Sequence, residues 1–392
     1  MRHYDLLIVG AGVVGTSLGY ALRDSGLTIG LLEASALNPD SPPTDRRNLG
    51  LALGSVQWLQ RLGIWPQLAT LATPIHCVHV SEAGQFGQTR FTAEALQLPA
   101  LGFVVSYSTL AQTLQTAVTT LPTLTFLRPA TLTQLQPQAD GIQVTYREGD
   151  IEQQCHTRLL VAADGGGSTL RQLAHIHEQI TDYQQSAIVA NLSTEWPHHH
   201  TAYERFTADG SLALLPLPDQ RCNLVWVMPQ ATANSALKWP ESLFLERLQQ
   251  QFGYRLGTLS RLGQRQSFPL QQIRPTALTK PRMVLLGNAA HTLHPIAAQG
   301  LNLGLRDVAV LANLLQSQTR NSDPGDPELL KAYCQQRQPD QQRTMRLTHG
   351  LVRLFGSSSP PIKRARRSGL LLLDHLPWGK NALAHQMMGL LP

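Results

Sequence analysis

The chain has 392 residues, of which 42% are hydrophobic, and a formal net charge of +6. This length exceeds the roughly 250–300 residues at which a single hydrophobic core stops growing, so two lobes are expected. The four cysteines share no metal-ligand or disulfide spacing, which argues against a zinc site or a disulfide scaffold and indicates a reducing compartment.

A dinucleotide-binding fingerprint opens the chain. The apolar run at residues 6–9 is typical of a strand buried on both faces, and Gly10, Gly12 and Gly15 follow it before a helical pattern begins. Such glycines permit the turn, the approach of a pyrophosphate and close helix packing, respectively. The second strand ends at Glu33, which lies close to the roughly 20-residue offset from Gly10 at which a carboxylate meets ribose hydroxyls and repels a 2′-phosphate. The alternative is an ordinary strand–turn–helix with a surface glutamate.

Two further glycine-rich segments also follow apolar, strand-like runs. ADGGGS occupies residues 163–168, and GNAAHTLHPIAAQGLN occupies residues 287–302 before an apolar-periodic helix. Each therefore lies where a strand ends, which is the ligand edge of an open α/β sheet. Ser168 fits no nucleophile-elbow pattern and is expected to cap the next helix. The three segments together predict one bound FAD.

Three longer stretches carry a resemblance to a known family: DRRNLGLALGSVQWLQRLGIW from Asp45, ERFTADGSLALLPLPDQRCNLVW from Glu204, and VLLGNAAHTLHPIAAQGLNLGLRDV from Val284. Over essentially its whole length the chain resembles the single-component FAD-dependent aromatic hydroxylases with the para-hydroxybenzoate hydroxylase fold. Among these it is most similar to the ubiquinone-biosynthesis hydroxylases, in particular the 2-polyprenyl-6-methoxyphenol hydroxylase branch.

The resemblance implies a role for each matching residue. The ADP half of FAD is held by Gly10, Gly12, Gly15 and Glu33, and Arg47 lies near the flavin and pyrophosphate. Asp164 and Gly165 serve the flavin and nicotinamide access, whereas Gly287 and Asn288 bind the ribityl chain and phosphate. The backbone of Pro295, Gln299, Gly300 and Asn302 lies along the isoalloxazine ring.

Three places depart from the family pattern. Asn288 stands where an aspartate is usual, although its amide oxygen can still accept a hydrogen bond and the methoxyphenol branch shares it. Ala298 replaces a common glycine, which matters if that position needs a positive φ. At Ser106 and Tyr107 many relatives carry an arginine or amide that contacts FAD, so that contact is expected to be lost.

The implied reaction uses NADH or NADPH as a transient co-substrate and O2, and passes through a flavin C4a-hydroperoxide. The implied substrate is a lipophilic 2-polyprenyl-6-methoxyphenol, converted to the 1,4-benzoquinol. Two alternatives stay open: a paralogous hydroxylase acting at another ring position, and a non-catalytic flavin-bearing scaffold subunit. The oligomeric state is not predicted.

The expected fold class is α/β. A Rossmann-like FAD-binding domain comprises residues 1–73, 99–181 and 278–344. An inserted antiparallel β-sheet domain for the substrate comprises residues 74–98 and 182–277, with strand-like composition at 76–80, 184–191, 212–215 and 223–228. Residues 345–392 form a C-terminal helical segment.

Histidines provide only a weak catalytic candidate, His294. His291 also flanks the flavin segment, but backbone contacts dominate that segment in the family. The cluster His198, His199 and His200 is expected in a solvated loop after Pro197, because consecutive histidines cannot all face one ion. No metal site and no nucleic-acid partner are predicted.

The C-terminal segment concentrates the basic charge, with Lys363, Arg364, Arg366, Arg367 and Lys380 beside an apolar, Trp-bearing pattern that includes Leu391. Such a segment suits a membrane surface. The alternative is a helical pair packed on the body or on a partner, for example another ubiquinone-biosynthesis protein. The first strand leaves no room for a signal peptide, and no apolar run approaches the roughly 20 residues of a membrane span. We expect a cytoplasmic protein, soluble or peripheral on the cytoplasmic face of the bacterial inner membrane.

Overall fold

The computed structural model describes residues 1–36, 47–85, 87–319, 322–357 and 359–390. Side chains at positions 360, 363–365, 367, 370, 371, 373 and 377 lie outside this description, as do Asp45 and Leu391 among the residues considered above.

The described strands are short, apart from three that run ten residues or more. In chain order they are β1 (Arg2–Val9), β2 (Ile29–Leu32), β3 (Asn48–Ala52), β4 (Thr73–Ile75), β5 (Cys77–Glu82), β6 (Gln88–Thr92), β7 (Gly102–Ser106), β8 (Leu124–Leu127), β9 (Thr131–Pro137), β10 (Ile142–Glu148), β11 (Ile151–Ala162), β12 (Glu178–Thr194), β13 (Thr201–Phe206), β14 (Ser211–Leu217), β15 (Arg221–Pro229), β16 (Leu259–Ser260), β17 (Gln266–Pro275), β18 (Thr279–Lys280) and β19 (Met283–Leu285).

The helices alternate with the strands at first and follow one another at the C-terminus. They are α1 (Val13–Ala21), α2 (Leu53–Arg61), α3 (Trp65–Ala69), α4 (Tyr107–Thr119), α5 (Thr169–Leu173), α6 (Gln230–Ala236), α7 (Glu241–Phe252), α8 (Gln299–Gln316), α9 (Pro327–Gly356), α10 (Pro360–His375) and α11 (Pro377–Met388).

The first sheet has a parallel core in the order β19, β11, β1, β2, β8. The apolar run of β1 is buried on both faces, as predicted, because helices α1, α4 and α8 cover one face while the β9–β10 hairpin and α5 cover the other. Alternate residues divide between these two cores: Leu6 joins the first and Leu7 the second. This sheet is the Rossmann-like lobe.

The second sheet runs in the order β16, β12, β15, β14, β13, β5, β6, with β17 beside β12. Its pairs are antiparallel except for β13 with β5. The four stretches predicted to be strands lie in β5, β12, β14 and β15. One face packs on α6 and α7, where Leu214 and Trp226 meet Phe244. The predicted α/β fold with an antiparallel sheet and C-terminal helices is confirmed.

The predicted domain boundaries fall partly inside continuous elements. Strand β4 runs through position 73/74, strand β12 through position 181/182, and helix α9 through position 344/345. A third sheet has three strands in the order β3, β7, β4. Along the chain, these strands alternate with strands of the two larger sheets. The division into lobes therefore stays a prediction, and the chain crosses three of its boundaries without a break in secondary structure.

The C-terminal helices pack on the body. Arg366 on α10 is only 4% exposed. Its Nε and Nη2 atoms pair with the two carboxylate oxygens of Glu82 on β5, and its Nη1 atom donates to backbone carbonyls at the end of α9. On α11, Ala384 and Met388 join an apolar cluster with Leu53. Packing on the body, one of the two alternatives for this segment, is thus observed.

A buried carboxylate ties the third glycine-rich segment to two helices. Asp307 on α8 is fully buried and accepts from the Gly287 amide at 3.1 Å, Arg337 Nε at 2.7 Å and Gln341 Nε2 at 2.9 Å, while His291 Nε2 lies 2.7 Å away. Burial raises the pKa of the Asp307 carboxyl, but the Arg337 and His291 side chains outweigh that effect and hold the pKa below its ordinary value.

Asp307→Asn should destabilise the protein by about 3 kcal/mol, because it leaves the buried Arg337 cation without this counter-charge. Urea unfolding at pH 7 measures the difference. The difference in free energy of unfolding between the two proteins should become smaller as the pH falls below about 4. A carboxyl whose pKa is lowered in the folded state stabilises the protein above its unfolded-state pKa, and this stabilisation is lost when the folded protein takes up the proton.

The matched control is Asp24→Asn, which removes an ion pair with Arg23 at 3.3 Å whose Asp24 side chain is 82% exposed. It should change the free energy of unfolding by less than about 0.5 kcal/mol. Equal effects of the two substitutions would contradict the role given to Asp307.

Candidate functional site: a cofactor edge facing an apolar row

The three glycine-rich segments begin side by side. Hydrogen bonds continue the parallel pairing one step past the strand ends: Gly10 N to Leu32 O at 2.7 Å, Ala163 N to Val9 O at 2.8 Å and Leu286 N to Ala162 O at 2.8 Å. Segments more than 100 residues apart in the chain therefore share one sheet edge, as expected for the carboxyl ends of parallel strands.

The first loop is shaped by glycine at each predicted position. Gly10 has φ of +101°, and a Cβ there would lie 2.5 Å from the Ala163 carbonyl oxygen; a Cβ on Gly15 would collide with the Gly10 carbonyl oxygen. Gly12 differs, because the nearest atom to its would-be Cβ is Tyr107 Oη at 3.6 Å. The surroundings of Gly12 are thus open, as a site for an approaching phosphate requires.

Glu33 contacts the first loop directly. Its Oε2 accepts from the Ala11 amide at 2.8 Å, and its Oε1 accepts from the Ser35 amide at 2.9 Å. Gln115 on α4 donates to the Ala11 carbonyl at 3.2 Å. The carboxylate therefore lies at the same edge as the fingerprint rather than out on the surface.

The second segment presents an unsatisfied carboxylate oxygen. Asp164 Oδ2 accepts from the Leu170 amide at 3.0 Å, whereas the buried Oδ1 makes no hydrogen bond within the described ranges. Gly165 has φ of +86° and open space around it. Ser168 accepts from the Arg171 amide at 3.0 Å and so caps α5, as predicted. A buried acceptor without a partner is what a missing ligand hydroxyl or amide leaves behind.

In the third segment the side chains hold the backbone in place. Asn302 is fully used: its oxygen accepts from the Ala52 amide and the Ser55 hydroxyl, and its nitrogen donates to the carbonyls of Gly50 and Ala298. Gln299 donates to the Met387 carbonyl on α11 at 3.0 Å. Their side chains stabilise the loop that follows Pro295, which leaves backbone groups to meet a ligand.

Ala297 and Ala298 adopt left-handed conformations, with φ of 57° and 52°. The position of Ala298, where relatives carry glycine, therefore does require a positive φ, which strains an alanine. Gly287 also has a positive φ of 56°, Gly300 has open space beside it, and Asn288 is exposed. The strained turn precedes α8 and forms the part of the edge nearest the second lobe.

His294 is a buried neutral imidazole. Burial lowers the pKa of His294 to about 4, and its Nδ1 accepts from the Ile296 amide at 3.3 Å. The proton must then be on Nε2, which finds no hydrogen-bond partner among the residues described. The Tyr183 ring stands edge-on to it at 5.2 Å, and its hydroxyl lies 3.1 Å from His349 Nδ1. At neutral pH this weak candidate can donate a hydrogen bond but is not a charged acid.

Arg47 and Tyr107 lie beside the fingerprint. The Arg47 guanidinium is 5.6 Å from the Tyr107 ring centroid and 5.0 Å from that of Phe268 on β17. Arg47 thus bridges the start of α4 and the second sheet. Tyr107 places a hydroxyl near Gly12, at the position where many relatives carry an arginine or amide.

One row of side chains crosses the second sheet on the face turned toward the cofactor lobe. We call it the mid-sheet row; directly paired across five strands, its members are Val80, Glu204, Ala213, Val225 and Val189. All five are half-buried. Four are apolar and one is a carboxylic acid.

Contacts between the lobes bound this row on both sides. Ala202 on β13 is buried against Ile75 and Val104, which belong to β4 and β7. Phe206, at the other end of β13, is buried against Ile296 and stacks on Phe355 at 3.4 Å between ring centroids. We call the half-buried, mostly apolar strip between these contacts the trough; Ile296 of the 295–302 segment packs at its Phe206 end.

The histidine cluster differs from expectation in one respect. It lies in a turn, with positive φ at His199 and His200, but His198 is only 8% exposed. Its Nε2 lies 2.8 Å from the Leu217 carbonyl, and its Nδ1 accepts from the His200 amide. The prediction of a solvated loop was wrong for His198, which packs into the second lobe because its ring satisfies two backbone groups. The described ranges contain no group of three or more histidine, cysteine, aspartate or glutamate side chains that could hold a metal ion.

Comparison with known proteins gives the same picture. Residues 3–348 match the family described as FAD binding domain. Ubiquinone hydroxylase UbiL of Rhodospirillum rubrum is 34% identical over 391 residues, covering 99% of this chain and 90% of that protein. The 3-demethoxyubiquinol 3-hydroxylase of Escherichia coli K12 is 30% identical over 379 residues, 94% of each. The structure of p-nitrophenol 4-monooxygenase PnpA from Pseudomonas putida shares the fold, with a TM-score of 0.79, 16% identity and 99% of both chains covered.

The edge with three glycine-rich segments, packed against an antiparallel sheet, defines an FAD-dependent monooxygenase of the aromatic hydroxylase type. The chain belongs to the FAD binding domain family. FAD is its cofactor, and reduced nicotinamide nucleotide is its co-substrate. The open Gly12 and the unpartnered Asp164 Oδ1 fit a bound FAD.

Two residues of this site were not singled out from the sequence. Asp307 and Glu204 both lie within the family-like stretches, yet neither has a motif of its own. A signal for Glu204 exists in retrospect: a carboxylate stands between Tyr203 and Phe206 in a strand-like run. Which face of the sheet it occupies could not be read from that run.

Gly12→Val should abolish most FAD binding without unfolding the protein, because the side chain enters open space that the pyrophosphate needs. Flavin content of the purified variant measures the effect, and circular dichroism reports the fold. Gly350→Val is the control, since Gly350 on α9 also has nothing within 4 Å of its would-be Cβ. A normally flavinated Gly12 variant would show that phosphate does not approach here.

Proposed function

We propose that this protein hydroxylates a polyprenylated phenol in ubiquinone biosynthesis, with 2-polyprenyl-6-methoxyphenol as substrate and the 1,4-benzoquinol as product. The observation that carries the proposal is the apolar trough beside the cofactor edge, which suits a lipophilic aromatic ring. The names of relatives that align over 94–99% of this chain, a ubiquinone hydroxylase and a demethoxyubiquinol hydroxylase, support the pathway.

The proposed roles of the edge residues follow the resemblance. Gly10, Gly12, Gly15, Glu33 and Arg47 hold the ADP half of FAD; Asp164 and Gly165 serve the flavin; Gly287 and Asn288 hold the ribityl phosphate; and Pro295, Gln299, Gly300 and Asn302 place backbone along the ring. FAD, once reduced, supplies the activation of dioxygen. The protein orients the ring against the phenol, excludes water and donates hydrogen bonds such as that of His294 Nε2.

A hydroxylase for another ring position is the second candidate. It is favoured by the name of the Escherichia coli relative, which specifies hydroxylation at position 3 of a demethoxyubiquinol. Both candidates share the trough and the cofactor edge, so the position of the new hydroxyl separates them.

The test is an anaerobic titration of the flavin-bearing protein with NADH or NADPH, with and without a short-chain 2-prenyl-6-methoxyphenol. The phenol should accelerate flavin bleaching, and aerobic turnover should yield the 1,4-benzoquinol by mass spectrometry and NMR. A product hydroxylated elsewhere would support the second candidate. A protein that binds FAD but consumes no nicotinamide would favour the scaffold subunit instead.

We also propose that the C-terminal helices touch a membrane surface while packed on the body. Within the described residues no helix is long and apolar enough to cross a bilayer. Two of the five basic residues are engaged internally, because Arg366 pairs with Glu82 and Lys380 with Asp374; the side chains of Lys363, Arg364 and Arg367 lie outside the description. Large apolar side chains are nevertheless exposed: Ile362 by 38%, Leu372 by 59% and Trp378 by 75%.

Replacing Leu372 and Trp378 together by serine should weaken sedimentation with anionic vesicles by about tenfold or more, because it removes exposed apolar area that a bilayer would bury. Full packing of the helices should persist, unlike in a truncation at Pro360. The control replaces Leu71 and Ile151, which are 61% and 63% exposed elsewhere. If the variant with serine at positions 372 and 378 binds vesicles as well as the wild-type protein, the proposed membrane contact is wrong.

A further inference from the structure

Glu204 points into the trough. Its neighbour Tyr203 contacts His79 and Phe252 on the opposite face of the sheet. Successive side chains of a strand alternate between faces, so Glu204 lies on the face of Phe206, which packs on Ile296. The carboxyl is therefore the one acid of the mid-sheet row, on the side where the cofactor edge lies.

The carboxyl group has spare hydrogen-bonding capacity. Its Oε1 is buried and has no hydrogen-bond partner in the described part of the chain, although the residue as a whole is partly accessible. A buried unpaired acceptor costs about 1–3 kcal/mol unless a ligand satisfies it. The combination of a buried oxygen and an accessible residue indicates a side chain that lines a ligand space.

The surroundings keep this acid poised to exchange a proton. Burial raises the pKa of Glu204 to about 7, and the Ser211 hydroxyl on β14 opposes that shift to a smaller extent. Along β5 the next acid on the same face is Glu82, whose charge is paired with Arg366 of α10. From α9 the nearby contact is the uncharged Phe355. A carboxyl with this pKa can be either acid or base at neutral pH.

We propose that Glu204 is the residue that accepts the proton of the substrate's phenol hydroxyl. This inference rests on the proposed function and assigns its substrate-activating group. The phenol O–H bond breaks and an O–H bond forms at the carboxylate, which leaves an electron pair that enriches the ring carbons. One oxygen atom of O2 then joins the ring and the other leaves as water, with NAD(P)H as reductant. The proton on the hydroxylated ring carbon then leaves to solvent as the ring regains aromaticity, and Glu204 returns its own proton to the same phenol oxygen.

Ligand binding provides a readout that is independent of turnover. The wild-type holoenzyme should bind a short-chain 2-prenyl-6-methoxyphenol about tenfold or more tightly than its O-methyl ether, because only the phenol can donate to the carboxylate. Glu204→Gln should reduce that preference by about fivefold, since a neutral hydrogen bond replaces a charge-assisted one. Perturbation of the flavin absorbance at pH 8 reports both affinities.

Val225→Ala is the matched control in the same row. It removes apolar contact from the trough, so both ligands should bind more weakly while their ratio stays at the wild-type value. If Glu204→Gln also keeps the wild-type ratio, Glu204 does not contact the phenol and the inference is overturned.

Turnover supplies the second measurement. The hydroxylated product formed per NAD(P)H consumed should fall by about 100-fold or more in Glu204→Gln, and by much less in Glu204→Asp, which keeps a base. Equal coupling in Glu204→Gln and the wild-type protein would overturn the inference with the proposed function intact. Failure of the wild-type protein to bind either FAD or the phenol would overturn the proposed function itself.

Discussion

The buried carboxylate of Asp307 is the constraint on which the cofactor edge depends. An ionised group without access to water is tolerated only when charges and hydrogen bonds surround it, and here both oxygens are saturated. One of the donors is the Gly287 amide, so the start of the third glycine-rich segment is fixed by the same electrostatics that hold α8 against α9. Arg337 extends the network to Asp340, which also binds Arg306. Ion pairs between α8 and α9 therefore hold the third glycine-rich segment of the cofactor edge in position.

The two lobes divide the physical work. The cofactor edge is built from backbone amides, positive-φ turns and the carboxylates of Glu33 and Asp164, which suit a polar, phosphorylated ligand. The facing sheet offers valine and alanine on either side of a single acid. A ring with a polar hydroxyl and a long apolar tail matches that second surface, and the narrow contacts at Ala202 and Phe206 limit where it can lie.

Sequence patterns predicted the local elements well because buried strands and glycine turns leave short-range signals. The run at residues 6–9, the fingerprint glycines and the apolar period of α8 all appear where they were expected. Pairings between distant side chains left no such signal. The contact of Arg366 with Glu82 joins residues 284 positions apart, and it docks on the body a segment for which the sequence left both a membrane surface and packing on the body open.

Orientation was the other gap. His198 looked like a loop residue, and the turn is real, but only the fold reveals that its ring faces inward. The same difficulty applies to Glu204 in its strand. Alternation places neighbouring side chains on opposite faces of the sheet, but which of the two faces lies toward the cofactor lobe depends on what the sheet packs against. The residues that the sequence did not reveal are those whose orientation depends on another element that packs against their own.

The parallel register described above also dictates when the cofactor can be captured. β1 pairs with β11, and β11 pairs with β19, so the edge unites strands that are about 150 and 120 residues apart. Contacts of such long range form late, because closing each loop costs chain entropy before any pairing rewards it. A nascent chain that has emerged only as far as the fingerprint holds one of the three segments and none of the Asp307 anchor. A complete cofactor edge therefore requires the chain to have been synthesised at least as far as Asp307, whose carboxylate holds the Gly287 amide.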